Sequence, residues 1–179
     1  ITVDSDPGHG STFTVYLPAT ASQAEQPTDF EQDLPTGSER ILIVDDELAV
    51  ARLGSQLLDR LGYRVSFRTS SYEALELVRS RPDEFDLVIS DMTMPNMTGD
   101  KLAAAMMGIR PDLPIIICTG YSNRISETMA ARMGIRGFAY KPVVKADLAK
   151  LVRKVLDEVQ GGDAADTRLG KKAVEESSP

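Results

Sequence analysis

Between residues 39 and 160 the chain repeats one pattern: a short, almost wholly apolar run, then a longer stretch whose apolar residues recur at helical spacing. An apolar run of four or five residues is buried on both sides when it is a strand of a parallel sheet, and parallel strands need a crossover between them, usually a helix. The runs are Ile41-Leu42-Ile43-Val44, a weaker one holding Val65 and Phe67, Leu87-Val88-Ile89, Ile115-Ile116-Ile117-Cys118, and Phe138-Ala139-Tyr140. After the first, Leu48, Val50, Leu53, Leu57, Leu58 and Leu61 follow a helical period, and Gly62 supplies a stop. Ser70 or Ser71 can cap a second helix carrying Ala74, Leu75 and Val78. An alanine-rich helix is predicted from about 100 to 107, another up to 133, and a last one bearing Leu148, Leu151, Val152, Val155, Leu156 and Val159. Five strands alternating with five helices predict an α/β fold with helices on both faces of a parallel sheet and right-handed crossovers. No internal repeat is visible.

The flanks differ from this core. Residues 1–18 hold two β-rich runs, 1–3 and 12–17, around the turn-forming Asp6-Pro7-Gly8-His9-Gly10, which reads as a β-hairpin with a long loop. Residues 19–38 carry Glu25, Asp29, Glu31 and Asp33, no Lys or Arg, and the stiffening Pro27 and Pro35, so they read as an acidic linker. Residues 161–179 begin with Gly161-Gly162 and show no helical period, which predicts a disordered tail. The start, Ile-Thr-Val-Asp, has neither a Met nor a signal-peptide pattern and reads as a cut through a longer protein.

Composition excludes several classes. Hydrophobic residues at 42% are enough for a packed core. A net charge of −7 argues against a nucleic-acid partner, which wants a basic face, and against docking on an anionic membrane. The one cysteine, Cys118, rules out a disulfide framework and reads as a buried core thiol. No apolar run approaches the ~18–20 residues of a membrane helix, so a cytoplasmic location is expected.

The chemistry lies at the carboxyl ends of the predicted strands, where open α/β sheets form their ligand crevice. The first strand ends in Asp45-Asp46-Glu47, the third in Asp91, the fourth in Thr119-Gly120 and the fifth in Lys141-Pro142. Taken singly, each has an ordinary role: a solvated turn, a helix cap, a strand exit. Taken together and in order, they hand polar, reactive groups to one rim. Three carboxylates converging there would repel one another. A hard divalent cation with oxygen ligands, Mg²⁺ first and Mn²⁺ as the alternative, relieves that repulsion. Asp91 could then attack phosphorus through a carboxylate oxygen. Lys141 could pair with Asp91 or with phosphoryl oxygens, and the Thr119 hydroxyl could donate to one. Phosphoryl transfer needs mainly positioning and charge neutralisation, which this set offers.

These residues resemble a family. Residues 41–47, the run Asp91-Met92-Thr93-Met94-Pro95-Asn96-Met97-Thr98-Gly99, Thr119-Gly120 and Lys141-Pro142 are similar to the motifs of response-regulator receiver domains. The resemblance covers residues 39–160. It implies a flavodoxin-like five-stranded sheet in the order 2-1-3-4-5, with Asp91 as phosphoacceptor. It also implies Asp45, Asp46, Asp91 and the Thr93 backbone carbonyl around Mg²⁺. The family couples its hydroxyl residue to an aromatic three positions before the lysine, here Thr119 and Phe138; a Phe can couple only sterically. Tyr140 then reads as packing or strand edge. Thr93 and Tyr121 stand where the family tunes dephosphorylation, and neither has an acid or amide to orient water, so a long-lived phosphoryl group is expected.

Residues 1–18 are similar to the end of a histidine-kinase ATP-binding domain, Gly8-His9-Gly10 resembling its last glycine box. His9 itself reads as a solvated turn residue. The whole thus resembles the C-terminal part of a hybrid sensor histidine kinase, whose kinase activity would belong to upstream parts and whose body could be membrane-anchored. The implied partner is a phosphohistidine donor, either a kinase domain or a histidine phosphotransfer protein. A homodimer is compatible with this reading, and the helix after Thr119 with the fifth strand is the expected contact surface. Two other classes compete. A phosphatase of the haloacid-dehalogenase type needs a second Asp two positions after the nucleophile, where Thr93 stands. A phosphate-independent pseudo-receiver would be an interaction module with a dead site, whereas the acidic, hydroxyl and lysine residues are all present here.

Overall fold

The computed structural model describes residues 1–17, 34–120 and 134–175. It falls into two units, Ile1–Asp33 and a second beginning at Leu34.

The first unit is a two-stranded antiparallel hairpin, β1 (Thr2–Asp6) and β2 (Gly10–Thr14), paired from Thr2 with Thr14 to Asp6 with Gly10. The expected long loop is in fact short. The strands extend inward until only Pro7, Gly8 and His9 remain, and the His9 amide donates to the Asp6 carbonyl at 3.0 Å. Gly8, at φ +86°, takes a left-handed conformation that a side chain would disfavour. His9 is exposed, its Nδ1 3.1 Å from the equally exposed Asp6 carboxylate, in keeping with a solvated turn residue.

The second unit contains β3 (Arg40–Val44), α1 (Leu48–Asp59), β4 (Arg64–Arg68), α2 (Ser71–Ser80), β5 (Leu87–Asp91), α3 (Gly99–Ile109), β6 (Ile115–Thr119), β7 (Gly137–Tyr140) and α4 (Lys145–Glu175). The five strands are parallel in the order β4-β3-β5-β6-β7, which is 2-1-3-4-5 counted within the unit. This is the flavodoxin-like α/β sheet expected from the sequence. The helix expected to reach residue 133 lies outside the described residues.

Why the strands are continuously apolar is visible in their alternation. Ile41, Ile43, Leu87, Ile89 and Ile116 turn to one face and pack with Leu58 of α1 and Leu148, Val152 and Val155 of α4. Leu42, Val44, Val88, Ile115 and Ile117 turn to the other and pack with Ala74 and Val78 of α2 and Leu102 and Met106 of α3. With both faces covered, no strand position can be polar without cost. Ser70 caps α2, its hydroxyl accepting from the Glu73 amide at 3.4 Å.

Two boundaries differ from the sequence reading. The expected linker ran to residue 38, but residues from Leu34 on belong to the second unit. Leu34 packs against the core, and the Gly37 amide donates to the Leu61 carbonyl at 3.1 Å. The rest of that linker lies outside the described residues. The helix expected to end near residue 160, before a disordered tail, runs as α4 to Glu175. Its apolar stripe in the sequence stops at Val159, so the period of apolar residues did not mark the helix end.

Candidate functional site

The sheet brings four of the sequence-selected residues to one rim. Asp45 follows β3, Asp91 ends β5, Thr119 ends β6 and Lys141 follows β7. Strand order alone places β3 and β5 side by side with β6 next, so Asp45 and Asp91 are neighbours across the sheet. All but the lysine are deeply buried, with relative exposures of 4% for Asp45, 7% for Asp91 and 2% for Thr119.

Lys141 ties the carboxylates together. Its Nζ lies 3.0 Å from Asp45 Oδ2 and 2.8 Å from Asp91 Oδ1. The second oxygen of each acid accepts a backbone N–H: Asp45 Oδ1 from Glu47 and Asp91 Oδ2 from Thr93, at 2.9 and 3.0 Å. Charged acceptors with such donors make strong hydrogen bonds. Burial by itself would lower the lysine pKa, but the hydrogen bonds to Asp91 and Asp45 outweigh it and hold the pKa above its ordinary value. The lysine is therefore fully charged near neutral pH. Backbone bonds lock the rim in register: Asp45 N to Arg68 O at 3.2 Å, Met92 N to Cys118 O at 2.8 Å, and Lys141 N to Thr119 O at 2.9 Å.

Two buried carboxylates and one ammonium leave a negative charge uncompensated. Hard oxygen donors in that state fit a divalent cation that takes one or two carboxylates and keeps its remaining positions for water and phosphate. Asp46 is not drawn into this pair. Its side chain is exposed and borders a separate crevice with Ser70, Tyr72, Met94 and Asn96. Among the described residues no group of three or more His, Cys, Asp or Glu stands ready to hold a metal.

The Thr119 hydroxyl donates to the Gly120 carbonyl at 3.3 Å. Phe138, two residues before the exposed Tyr140, is half-buried against the α2–α3 side of the core and pairs in register with Ile117. Tyr121 lies outside the described residues. The Cys118 thiol is pushed up to about 12, chiefly by burial, which keeps it an inert core group.

Sequence reasoning missed two features. One is Ser90, a buried hydroxyl inside the apolar β5 that donates to the Asp91 carbonyl at 3.0 Å. Its signal was a single small polar residue between the apolar Leu87-Val88-Ile89 and Asp91. The other is an apolar cavity of about 340 Å³ that opens from Asp45, Asp91 and Lys141 along α1, between Val50, Leu53 and Leu57 and the Val143 turn. Leu48 and Leu53 of α1 are exposed beside it.

Comparison with known proteins agrees with this geometry. The family model for the response regulator receiver domain matches residues 41–153. Among curated proteins, the chain is 32% identical over 165 residues to the sensor kinase CckA of Brucella abortus, covering 87% of this chain and 17% of that protein. It is 34% identical over 132 residues to the two-component response regulator ARR10 of Arabidopsis thaliana, covering 74% and 24%. With the aerobic respiration control sensor protein ArcB of Escherichia coli it shares 29% over 161 residues, covering 88% and 20%. The chain thus spans about a quarter or less of the length of these relatives. Among solved structures, a CheY-like receiver domain protein from Methanospirillum hungatei superposes with a TM-score of 0.64 at 30% identity, covering 70% of this chain and 99% of that one. A receiver domain protein from Clostridium thermocellum gives 0.65 at 28% identity, covering 68% and 97%.

Proposed function

The chain belongs to the response regulator receiver domain family of two-component systems, and from that premise we propose that Asp91 accepts a phosphoryl group from a phosphohistidine. The observation that carries this reading is Lys141 bridging Asp91 and Asp45 at 2.8 and 3.0 Å. It leaves a buried nucleophilic carboxylate beside one fixed positive charge.

In the reaction an Asp91 carboxylate oxygen forms a bond to phosphorus while the P–N bond to the donor imidazole breaks, its electron pair staying on nitrogen. Lys141 is placed to exchange its contact with Asp91 for one with a phosphoryl oxygen, keeping the charge balanced. The Thr119 hydroxyl, turned from the Gly120 carbonyl, would donate to another. Asp45, Asp91 and the Thr93 carbonyl would hold Mg²⁺, with Asp46, the next residue after Asp45, free to turn toward it. Bound there, the ion would neutralise charge on the transferring oxygens. Phe138, packed against the core beside β6, would follow Thr119 by steric contact only. Thr93 offers no acid or amide to orient water, which supports slow loss of the phosphoryl group.

The partner in this reading is the phosphohistidine domain of a kinase or a phosphotransfer protein. Alignments to the two sensor proteins run over 165 and 161 residues, beyond the 41–153 of the receiver itself. That extension, with the hairpin of residues 1–17, supports a place at the C-terminal side of a hybrid sensor kinase.

The test is intact mass after incubation with Mg²⁺ and acetyl phosphate. One phosphoryl adduct is expected, absent in Asp91→Asn and absent after chelation. No adduct under conditions that label another receiver would instead favour a phosphate-independent pseudo-receiver.

A further inference from the structure

The phosphoacceptor's own backbone carbonyl is approached closely by two residues outside the reacting set. The Ser90 hydroxyl, 1% exposed, donates to the Asp91 carbonyl oxygen at 3.0 Å. Gly99, the first residue of α3, also abuts it. A Cβ there would fall inside contact distance of the Asp91 carbonyl oxygen, 3.0 Å from its carbon and 3.1 Å from Met92 Cα. The Gly99 amide also donates to the Met92 carbonyl at 2.9 Å.

The Asp91–Met92 peptide plane matters because two things hang from it. On one side it joins the Asp91 Cα, whose side chain meets Lys141 at 2.8 Å. On the other it begins the turn that returns the Thr93 amide to Asp91 Oδ2 at 3.0 Å. A shift of that plane moves the Thr93 amide relative to the Asp91 carboxylate that it bonds. A buried hydroxyl in a strand is costly unless bonded, and this one is spent on a carbonyl at the reacting residue. Gly99, by contrast, has an ordinary negative φ, so its lack of a side chain is not required by its own backbone. The space it leaves is what lets α3 abut the Asp91 carbonyl.

We propose that Ser90 and Gly99 are positioning residues for phosphoryl transfer, clamping the Asp91 carbonyl so that its carboxylate and the Thr93 amide meet in the reactive geometry. This rests on Asp91 being the acceptor. Misplacement by a fraction of an ångström should slow transfer by about tenfold or more without unfolding the domain. The Thr93 amide should lose about tenfold of its exchange protection.

The experiment uses the full chain as wild type, Ser90→Ala, Ser90→Thr and Gly99→Ala. It reads the acetyl phosphate labelling rate at saturating Mg²⁺ and the hydrogen exchange of the Thr93 amide by NMR. Both alanine variants should label slowly and exchange fast at Thr93 while melting cooperatively, and Ser90→Thr, which keeps the hydroxyl, should restore both readouts. Wild-type Thr93 protection in both alanine variants overturns the proposal, as does an effect at Ser90 that threonine fails to restore. If the wild type itself takes no label, the phosphoacceptor reading fails, and Thr93 exchange still decides whether the clamp exists.

Discussion

One ammonium shared between two buried carboxylates fixes how the site responds to pH. The Lys141 pKa is raised in the folded chain by its bonds to Asp91 and Asp45. Its stabilising contribution is therefore complete below the ordinary lysine value of ~10.4 and lost as pH rises through the higher folded value. Chemical denaturation of wild type and Lys141→Met should show a wild-type advantage that is constant from about pH 7 to 9 and shrinks above ~10.4. An advantage that stays level throughout would show that the bridge does not carry the stability. The strand-end residues of this site were legible in the sequence because each stands one or two steps beyond an apolar run. Ser90 was not, since a lone hydroxyl at the end of such a run has no period and gains meaning only from the carbonyl it meets. Asp46 was not separable from Asp45 either. Adjacent side chains diverge once the backbone leaves the strand, and that divergence puts one on the lysine and the other in solvent.

The elements owe their stability to burial on both sheet faces, and the central strands carry most of it. Ile116 of β6 is fully buried against the α1–α4 side, between β5 and β7. Ile116→Ala should cost about 2–5 kcal/mol, from lost transfer energy and the cavity left behind. Thermal unfolding checks this, and a loss below about 1 kcal/mol would mean that the neighbouring side chains collapse into the gap. Strand positions were readable because an apolar run of four or five has few other uses. Element ends were less so. The hairpin loop shrank to three residues because inter-strand bonds extended both strands, and α4 ran past the last apolar residue of its stripe.

At the scale of the whole molecule, the second unit begins earlier than charge and proline content suggested. The Glu39 carboxylate pairs with Arg153 of α4 at 2.8 Å, and the Glu39 carbonyl accepts from the Arg64 amide at 3.0 Å. A Cβ on Gly37 would strike the buried Tyr63 ring. These contacts fasten residues 34–39 to β4 and α4. A chain starting at Leu34 should melt with the same midpoint as the second unit of the full chain. One starting at Arg40 should lose about 2 kcal/mol, seen as a midpoint lower by roughly 4–8 °C. Equal midpoints for the two truncations would reduce the strap to a passive covering.

The sequence by itself determined the number and order of the apolar strands, the parallel sheet they require and the polar groups at their ends. Those properties are local: each is written in a run of a few residues and the one that follows it. Tertiary structure decided which groups meet. Lys141 reaches Asp45 across 96 positions of chain, Ser90 and Gly99 close on one carbonyl from two different elements, and a polar stretch becomes a strap by landing on Tyr63. No periodicity encodes such meetings, because they depend on how separate elements pack, and packing is settled only when all of the chain is in place.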